Sequence, residues 1–591
     1  MRLLRCLFIL PLLAAGLFGP AWAAPVAAAR ALHALFAEEW ERALRESPEM
    51  ASYQGDTRYD DRWSDLSPAA IATTEAGDRA ALARLRRIER RALGPDDRLD
   101  YDTFAWQLER RIEGQRFREY LEPINQRSGV QLASDIAEIM PFDKPADYRR
   151  YLARLAALPR LVDQVIVLMR EGLRAGQVTP RVLIERVPAQ IGAQVVDDPA
   201  ASPFYRPFLR FPGGMSHDER AVLEADAART IREAVVPAYR RLQAFVQAEY
   251  LPKARPTIAA TDRPDGAAWY AWRARLNTTT DLSIDEIHQI GLKEVARLRE
   301  AMDKLQAEIG FTGSRQAFFQ HLRSDPKFFE PTPEALLQAY RAVAKRIDPE
   351  LARVFRTLPR MPYGVRPVPA EAAPDATAGY YTGGAFDGSR PAYFYANLYR
   401  PESRPRWEML PLTLHEAVPG HHLQFARALE LRGLPMFRKT AYFVAYGEGW
   451  ALYAERLGYD MGLYGDPYDR YGQLAYEMWR AVRLVVDTGM HAKGWTREQA
   501  IAYFMDHTPK TELDIVNEID RYIGDPGQAL AYKLGELKIS ELRRRAEAAL
   551  GERFELRDFN DAVLATGSVP LGALQAHIEA WLAAQQALRR R

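Results

Sequence analysis

The sequence predicts a mainly α protein, built as a large helical body of two lobes with a small β-sheet. Ala, Leu, Arg and Glu recur with three- and four-residue spacing through most of the chain, which is the period of helices with one buried face. One segment near residue 395 shows the alternation and aromatic content of a strand. The 591 residues are enough for one large body or for several hydrophobic cores.

The N-terminal segment has the pattern of a signal peptide. A positive start, MRLLR, precedes the fourteen-residue apolar run CLFILPLLAAGLFG, and AWAA follows with small residues where signal peptidase cuts. This predicts a leader over residues 1–23 and export, in a bacterium to the periplasm. The run is too short to span a membrane comfortably, and an uncleaved anchor is the alternative. The single cysteine, Cys6, lies in this leader, so the mature chain has no thiol nucleophile or ligand.

Composition and charge are those of an ordinary globular protein. Hydrophobic residues make up 48% and charged residues 27% of the chain. Lys and Arg number 80 against 78 Asp and Glu, for a net charge of +2. Such a balance gives no global attraction to nucleic acid or to an anionic membrane. We therefore expect no nucleic-acid partner and no stable membrane insertion after the leader is removed.

Stretches with helical period alternate with breaks that are rich in proline and glycine. Ser283 and Glu286 have the spacing of a capping box and predict a helix start. Residues 251–285 separate an N-terminal helical lobe, 24–280, from a catalytic lobe, 281–591, and we expect the two to pack together. The predicted helices cover 28–46, 76–95, 145–175, 217–250, 283–308, 334–355 and 534–550, and the breaks cover 196–215, 251–267 and 358–391.

The clearest strand is RPAYFYANLY, residues 390–399. Tyr393 and Tyr395 would share one face, and Phe394 and Ala396 the other. Two interpretations stay open. The segment is either an edge strand beside the active-site helix, where an extended peptide pairs with it, or a structural strand with one buried face.

The segment HEAVPGHHLQ, residues 415–424, contains the residues that indicate a catalytic metal site. Two imidazoles and one carboxylate hold a catalytic zinc and leave one position for water. A glutamate next to the first histidine takes the proton of that water. His415 and Glu416 fit these roles, and Glu448 supplies a carboxylate further along the chain. The pattern predicts a zinc-dependent hydrolase.

The spacing differs from the common HExxH pattern, because Pro419 occupies the position where the second histidine would stand. His421 and His422 are the candidates, and both are too far along a straight helix, where seven residues rise about 10 Å. Proline removes a helical hydrogen bond and glycine relaxes the backbone beside it. We therefore expect a distortion at Pro419-Gly420 that returns one of the two histidines to the metal.

Glu448 and Glu455 compete for the role of third ligand. They are seven residues apart and share one helix face. Gly447 and Gly449 flank the first of them and permit close backbone approach.

HExxPGHH followed by EGWAxYxE resembles the DUF885 family of bacterial proteins, which is grouped with zincin metallopeptidases whose third ligand is glutamate. The resemblance implies a zincin-like body with the sheet beside the active-site helix, His421 and Glu448 as ligands with His415, and Glu455 as the partner of a ligand ring N–H. Further matching segments are GDTRYDDRWSDLS (55–67), DYDTFAWQL (100–108), DGSRPAYFYANL (387–398), RLVVDTGMHAKGW (483–495) and DRYIGDPGQALAYKLGELKI (520–539).

Other residues are candidates for stabilising the negative charge that develops on the substrate carbonyl. His491 and Tyr532 are predicted as catalytic, and Tyr522 and Lys533 are alternatives for the same work. Asp487, four residues before His491, is a candidate for orienting an active-site histidine.

The predicted function is an exported zinc metallopeptidase of oligopeptidase or carboxypeptidase type, with a peptide as substrate. Arg480 and Arg483 would bind a substrate carboxylate in the second type, or else form ion pairs. A zinc hydrolase of a non-peptide amide or ester is one alternative. A non-catalytic peptide-binding protein is the other, and Glu416 argues against it because binding needs no general base.

Overall fold

The computed structural model describes residues 20–370, 373–374, 376–385, 388 and 390–587, with side chains from residue 25 onward. This part of the chain is mainly α-helical and carries a small three-stranded sheet, as predicted. No described helix is both long and apolar enough to cross a membrane. The predicted signal peptide lies outside the described residues as far as residue 19 and stays a prediction.

In the N-terminal half, α8 and α9 pack against the long helix α5, whose inner face is lined by residues such as Tyr151, Leu155 and Val162, while α1, α3 and α4 form a separate hydrophobic cluster. A π-helical turn, Ile231–Val235, joins α8 to α9. The helices of this half are α1 Pro20–Glu46, α2 Pro48–Tyr53, α3 Pro68–Arg86, α4 Pro95–Gln115, α5 Pro145–Ala175, α6 Arg181–Ile184, α7 Val187–Gly192, α8 His217–Thr230, α9 Val236–Phe245 and α10 Gly266–Thr278.

The C-terminal half is organised around α18, which is buried along almost its whole length and packs against α11. The helices of this half are α11 Ile284–Ile309, α12 Arg315–Ser324, α13 Pro333–Ile347, α14 Met409–Glu416, α15 His421–Glu430, α16 Met436–Thr440, α17 Val444–Asp460, α18 Pro467–Ala492, α19 Arg497–His507, α20 Glu512–Gly524, α21 Ala531–Leu550, α22 Leu556–Leu564 and α23 Leu571–Ala587.

The predicted helices form, and two of them end earlier than expected. The predicted capping box at Ser283 and Glu286 is present at the start of α11. The helix predicted over 76–95 ends at Arg86, and the next helix begins at Pro95, since proline is suited to a first turn. The helix predicted over 334–355 ends at Ile347 and tightens into a 3₁₀ turn, Asp348–Arg353, which contains a proline.

The predicted break at 251–285 contains the helix α10, which contacts both halves. The indole N–H of Trp272 donates to the carbonyl oxygen of Arg110 in α4, at 3.1 Å. The next residue, Arg273, donates to the carbonyl oxygen of Pro526, at 3.2 Å. Because α10 bonds to both halves, these contacts do not locate a domain boundary. The division at residue 280 therefore stays a prediction.

The sheet consists of β1 Tyr363–Pro367, β2 Gly379–Thr382 and β3 Ala392–Ala396, in the order β1-β3-β2. The predicted strand is β3, and its alternation is confirmed, since Phe394 is buried while Tyr393 and Tyr395 are half-buried. Its interpretation as an edge strand is wrong. β1 pairs with it in parallel and β2 antiparallel, so β3 is the middle strand. β1 and β2 lie within the predicted break at 358–391, and they form strands because each pairs with β3.

Candidate active site

The segment 415–424 forms two short helices that meet at a sharp break. α14 ends at Glu416 and α15 begins at His421, so the predicted distortion at Pro419-Gly420 is a complete interruption. A Cβ at Gly420 would lie 1.9 Å from the carbonyl oxygen of His415 and 2.5 Å from that of Leu414. Only glycine therefore permits this close approach of the chain to the end of α14.

The break brings His421 opposite His415. The two imidazole rings are 4.9 Å apart between centroids and nearly perpendicular, at 87°. Nε2 of His415 lies 3.5 Å from Oε2 of Glu448, and Nε2 of His421 lies 3.3 Å from the same oxygen. Two donors about 2.1 Å from a tetrahedral zinc are about 3.4 Å apart. Both distances to Glu448 match this value, and the ligand atoms of all three predicted residues lie within 4.8 Å of one another.

The carboxylate of Glu448 has one oxygen satisfied and one without a hydrogen bond. Oε1 accepts from the hydroxyl of Tyr442 at 2.8 Å, whereas the buried Oε2 accepts no hydrogen bond and faces the two imidazoles. Burial acts to raise the pKa of Glu448, but the two histidines outweigh it and hold that pKa well below its usual range. A buried anionic oxygen without a donor, between two imidazole nitrogens, fits a bound cation.

Glu455 fixes the orientation of His415. Nδ1 of His415 donates to Oε1 of Glu455 at 2.8 Å, which leaves Nε2 to face Glu448 and confirms the predicted role of Glu455. Arg480 lies 3.3 Å from the same Oε1. Burial acts to lower the pKa of His415, but the neighbouring carboxylates of Glu448 and Glu455 raise it to about 9. The surroundings of this ring therefore favour positive charge.

Glycines around Glu448 allow the surrounding elements to approach closely. A Cβ at Gly449 would lie 2.5 Å from the Cα of Gly535, where α17 crosses α21. A Cβ at Gly447 would lie 2.2 Å from the ring of Tyr442. The close approach predicted from these two glycines is confirmed, and it places the Tyr442 hydroxyl beside the carboxylate.

His422 points away from the other two histidines. Its Nε2 donates to the carbonyl oxygen of Met361 at 3.0 Å, and its Nδ1 accepts from the hydroxyl of Tyr381 at 3.3 Å. Burial lowers the pKa of His422 to about 4, so the ring is neutral near pH 7. Both ring nitrogens of His422 are occupied by hydrogen bonds. The geometry therefore favours His421 over His422 as the candidate metal ligand.

Glu416 lines a pocket of about 370 Å³ together with the three candidate ligands. Burial raises the pKa of its carboxyl group, which makes the carboxylate a stronger base than a solvated one. The wall of the pocket includes β2, which is one of the two edge strands of the sheet. The pocket therefore combines a candidate metal centre, a general base and a strand edge.

The candidates for charge stabilisation occupy different places. Tyr532 lines the pocket, and its hydroxyl accepts from Nε2 of Gln528 at 3.3 Å, which leaves its own hydrogen available. Tyr522 does not line the pocket, and its hydroxyl donates to Glu518 at 2.6 Å. Lys533 is fully buried among carboxylates, with Glu477, Glu536 and Glu294 at 2.8, 2.8 and 3.1 Å. Of these three, the structure brings only Tyr532 to the site.

His491 lies outside the pocket, contrary to the expectation of a catalytic role. Its Nδ1 accepts from the backbone N–H of Ala260 at 3.2 Å, and its Nε2 donates to the carbonyl oxygen of Tyr522 at 3.0 Å. Burial lowers its pKa to about 4. Its neighbour Asp487 accepts from Tyr270 and from the N–H of Gly527 and orients no histidine of the site. Both residues tie helices together within the core.

Several residues of the site carry no signal in the sequence. Tyr53 and Arg127 come from the N-terminal half, and Tyr381 comes from β2 within a stretch that reads as a break. Tyr442 precedes the helix that carries Glu448, without a motif of its own. Only the tertiary fold brings these side chains to the pocket.

We expect Gly420→Ala to damage the site through the backbone. The new methyl group would overlap two carbonyl oxygens that cannot move away, and overpacking of this kind typically costs about 1–3 kcal/mol. The variant should unfold at lower urea concentration and bind less than one metal ion per chain. Gly465→Ala is the control, since a Cβ there meets nothing within 4 Å. If Gly420→Ala showed normal metal content and an unchanged midpoint of urea unfolding, the close approach of Gly420 to the end of α14 would be contradicted.

Comparisons with known proteins agree with this architecture. The family described as "Bacterial protein of unknown function (DUF885)" matches residues 48–578. A crystal structure described as that of a "putative lipoprotein" from Colwellia psychrerythraea is 29% identical, with a TM-score of 0.90 over 94% of this chain and 99% of that one. A "putative lipoprotein of unknown function" from Shewanella oneidensis is 18% identical and shares the fold, with a TM-score of 0.68 over 92% and 98%. Comparison with curated proteins gives no match.

Proposed function

The chain belongs to the DUF885 family, and we propose that it is an exported zinc-dependent hydrolase that cleaves peptide bonds. One observation carries the proposal. The buried Oε2 of Glu448 accepts no hydrogen bond and lies between two imidazole nitrogens, in a pocket that also holds Glu416. Export is supported by the signal-peptide pattern, and the two structural neighbours are described as lipoproteins.

His415, His421 and Glu448 would hold the zinc ion. Two neutral nitrogens and one carboxylate oxygen are the donor set of catalytic zinc sites, which keep a position open. When bound, zinc would polarise the substrate carbonyl and make a water molecule acidic. Glu455 supports this set by keeping the proton of His415 on Nδ1.

Glu416 is the proposed general base and then the general acid. It lines the pocket next in sequence to His415, and burial raises the pKa of its carboxyl group. It accepts a proton from the attacking water and returns that proton to the leaving amine when the peptide bond breaks. Because Glu416 is outside the donor set, it remains free to exchange this proton.

Tyr532 is the proposed donor to the substrate carbonyl oxygen. Its hydroxyl receives a hydrogen bond from Gln528, so its own hydrogen can be directed into the pocket. A donor that is held in place before the reaction stabilises negative charge as it develops. Tyr442, whose hydroxyl donates to Glu448, has the different task of holding the carboxylate.

β2 is the proposed docking site for the substrate backbone. It forms one edge of the sheet and lines the pocket through residues 379–381. An extended peptide can add to such an edge through main-chain hydrogen bonds, with little demand on its side chains. This arrangement supports a peptide substrate over a small amide or ester.

Metal analysis and a cleavage screen test the proposal together. Mature protein purified without added metal should contain one zinc per chain and cleave members of a mixed peptide library. Chelation should abolish cleavage, and added zinc should restore it. A protein that carries zinc and cleaves no peptide would point to a non-peptide amide or ester. A protein without zinc would overturn the proposal.

A further inference from the structure

We propose that one end of the pocket is an anion subsite, formed by Arg127, Arg483 and Arg521, that takes the free C-terminal carboxylate of a peptide. The inference rests on the proposed function, since it makes the enzyme one that cleaves near the C-terminus. All three arginines line the same pocket as the candidate zinc ligands. The subsite thus specifies the substrate class rather than the chemistry.

The arginines at this end of the pocket outnumber the carboxylates. Glu518 accepts from Arg483 and from Arg521, each at 3.0 Å, and also from the hydroxyl of Tyr522 at 2.6 Å. Burial acts to raise the pKa of Glu518, but the two arginines outweigh it and keep the group ionised. Asp525, whose charge also acts on Arg127, is paired with Arg273. Glu518 is therefore the carboxylate that these three guanidinium groups share, and positive charge is in excess.

Two of the arginines keep donors unused. Arg127 is an exposed side chain that lines the pocket and makes no hydrogen bond or ion pair within the described residues. Nη1 of Arg483 is buried without an acceptor. Cations that outnumber their counter-ions repel one another, and an anionic ligand would relieve this repulsion.

The position of Arg483 indicates that the bound anion ends a chain. Arg483 is only 3% exposed, and Trp479 and Tyr532 lie against its guanidinium, with ring centroids at 4.6 and 4.1 Å. Its guanidinium is therefore a buried part of the pocket wall, and we expect a peptide bound to it to end there. Planar guanidinium groups bind a carboxylate through paired hydrogen bonds, which suits a terminal carboxylate.

The size of the pocket limits how far the scissile bond can lie from the C-terminal carboxylate of the bound peptide. Its volume of about 370 Å³ is near the lower end of ligand pockets, which span about 300–1,000 Å³. Tyr532 contacts Arg483 on this side and also lies near Glu448, whose charge acts on its pKa. The arginines and the candidate zinc ligands line one pocket of this size, so a carboxylate at the arginines would place the scissile bond close to the C-terminus of the peptide. This geometry fits removal of a single residue or a dipeptide.

Binding measurements test the subsite apart from catalysis. The probes are trialanine, trialanine amide and Ala-Ala-Asp amide, titrated calorimetrically into zinc-loaded Glu416→Gln protein, which should bind without turnover. Trialanine should bind roughly 10–100-fold more tightly than its amide, since a charge-assisted hydrogen bond is worth about that factor. In the same background, Arg127→Gln should remove most of this preference, and Arg127→Lys should retain part of it.

Arg91→Gln is the matched control, because Arg91 is an exposed arginine that does not line the pocket. It should leave the preference for trialanine unchanged. Equal affinities for acid and amide, or a preference that survives Arg127→Gln, would overturn the subsite. Tight binding of Ala-Ala-Asp amide would overturn it too, because the arginines would then bind a side-chain carboxylate and not a C-terminal one. Acid-selective binding in a wild-type protein that cleaves no peptide would support the subsite and refute peptide-bond hydrolysis.

Discussion

Replacing Glu416 with Gln should lower the turnover of a cleaved peptide by at least about 10²–10⁴-fold, the usual contribution of general acid-base catalysis. The amide cannot accept a proton from water, while its size and its place in the pocket are unchanged. Glu416 is not one of the three grouped ligands, so zinc content should stay at one per chain. Rate, zinc content and thermal melting are measured on the same preparation.

Glu402→Gln serves as the control for this experiment, because Glu402 is an exposed carboxylate that does not line the pocket. It should keep normal turnover. Near-normal turnover in Glu416→Gln would rule out Glu416 as the base. Loss of zinc in that variant would instead show that Glu416 belongs to the ligand set.

The candidate ligands could be predicted from the sequence because each carries a local signal. Pro419 makes HExxH impossible, and helix geometry then demands a break before the second histidine. The structure places that break between α14 and α15. The seven-residue spacing of Glu448 and Glu455 likewise puts both on one face of α17, where they approach the same His415 from two sides.

Other parts of the site depend on contacts between distant segments. His491 looked catalytic because it shares a helix with Asp487, but the N–H of Ala260, from the preceding half, occupies its Nδ1. β2 forms within a stretch of prolines and glycines because β3 provides a partner strand. Arg127 reaches the pocket from more than 280 residues before His415. Local period and composition do not encode such contacts.

Replacing His421 with Ala should remove the zinc ion and the activity together, whereas His422→Ala should keep both to a large extent. His421 presents Nε2 to the unsatisfied oxygen of Glu448, at 3.3 Å. With one ligand removed, two donors hold zinc too weakly to survive purification without added metal. Elemental analysis should therefore fall from one zinc per chain to a small fraction of that value.

The neighbouring histidine is the natural control, because it is the same residue type in the same turn. His422→Ala removes hydrogen bonds to Met361 and Tyr381, so we expect a loss of stability of about 1–3 kcal/mol with zinc retained. A lower melting temperature at full zinc content would show this. Full zinc in His421→Ala together with lost zinc in His422→Ala would reverse the assignment. It would also require the chain between Glu416 and His421 to turn the other ring toward Glu448, against the close approach at Gly420.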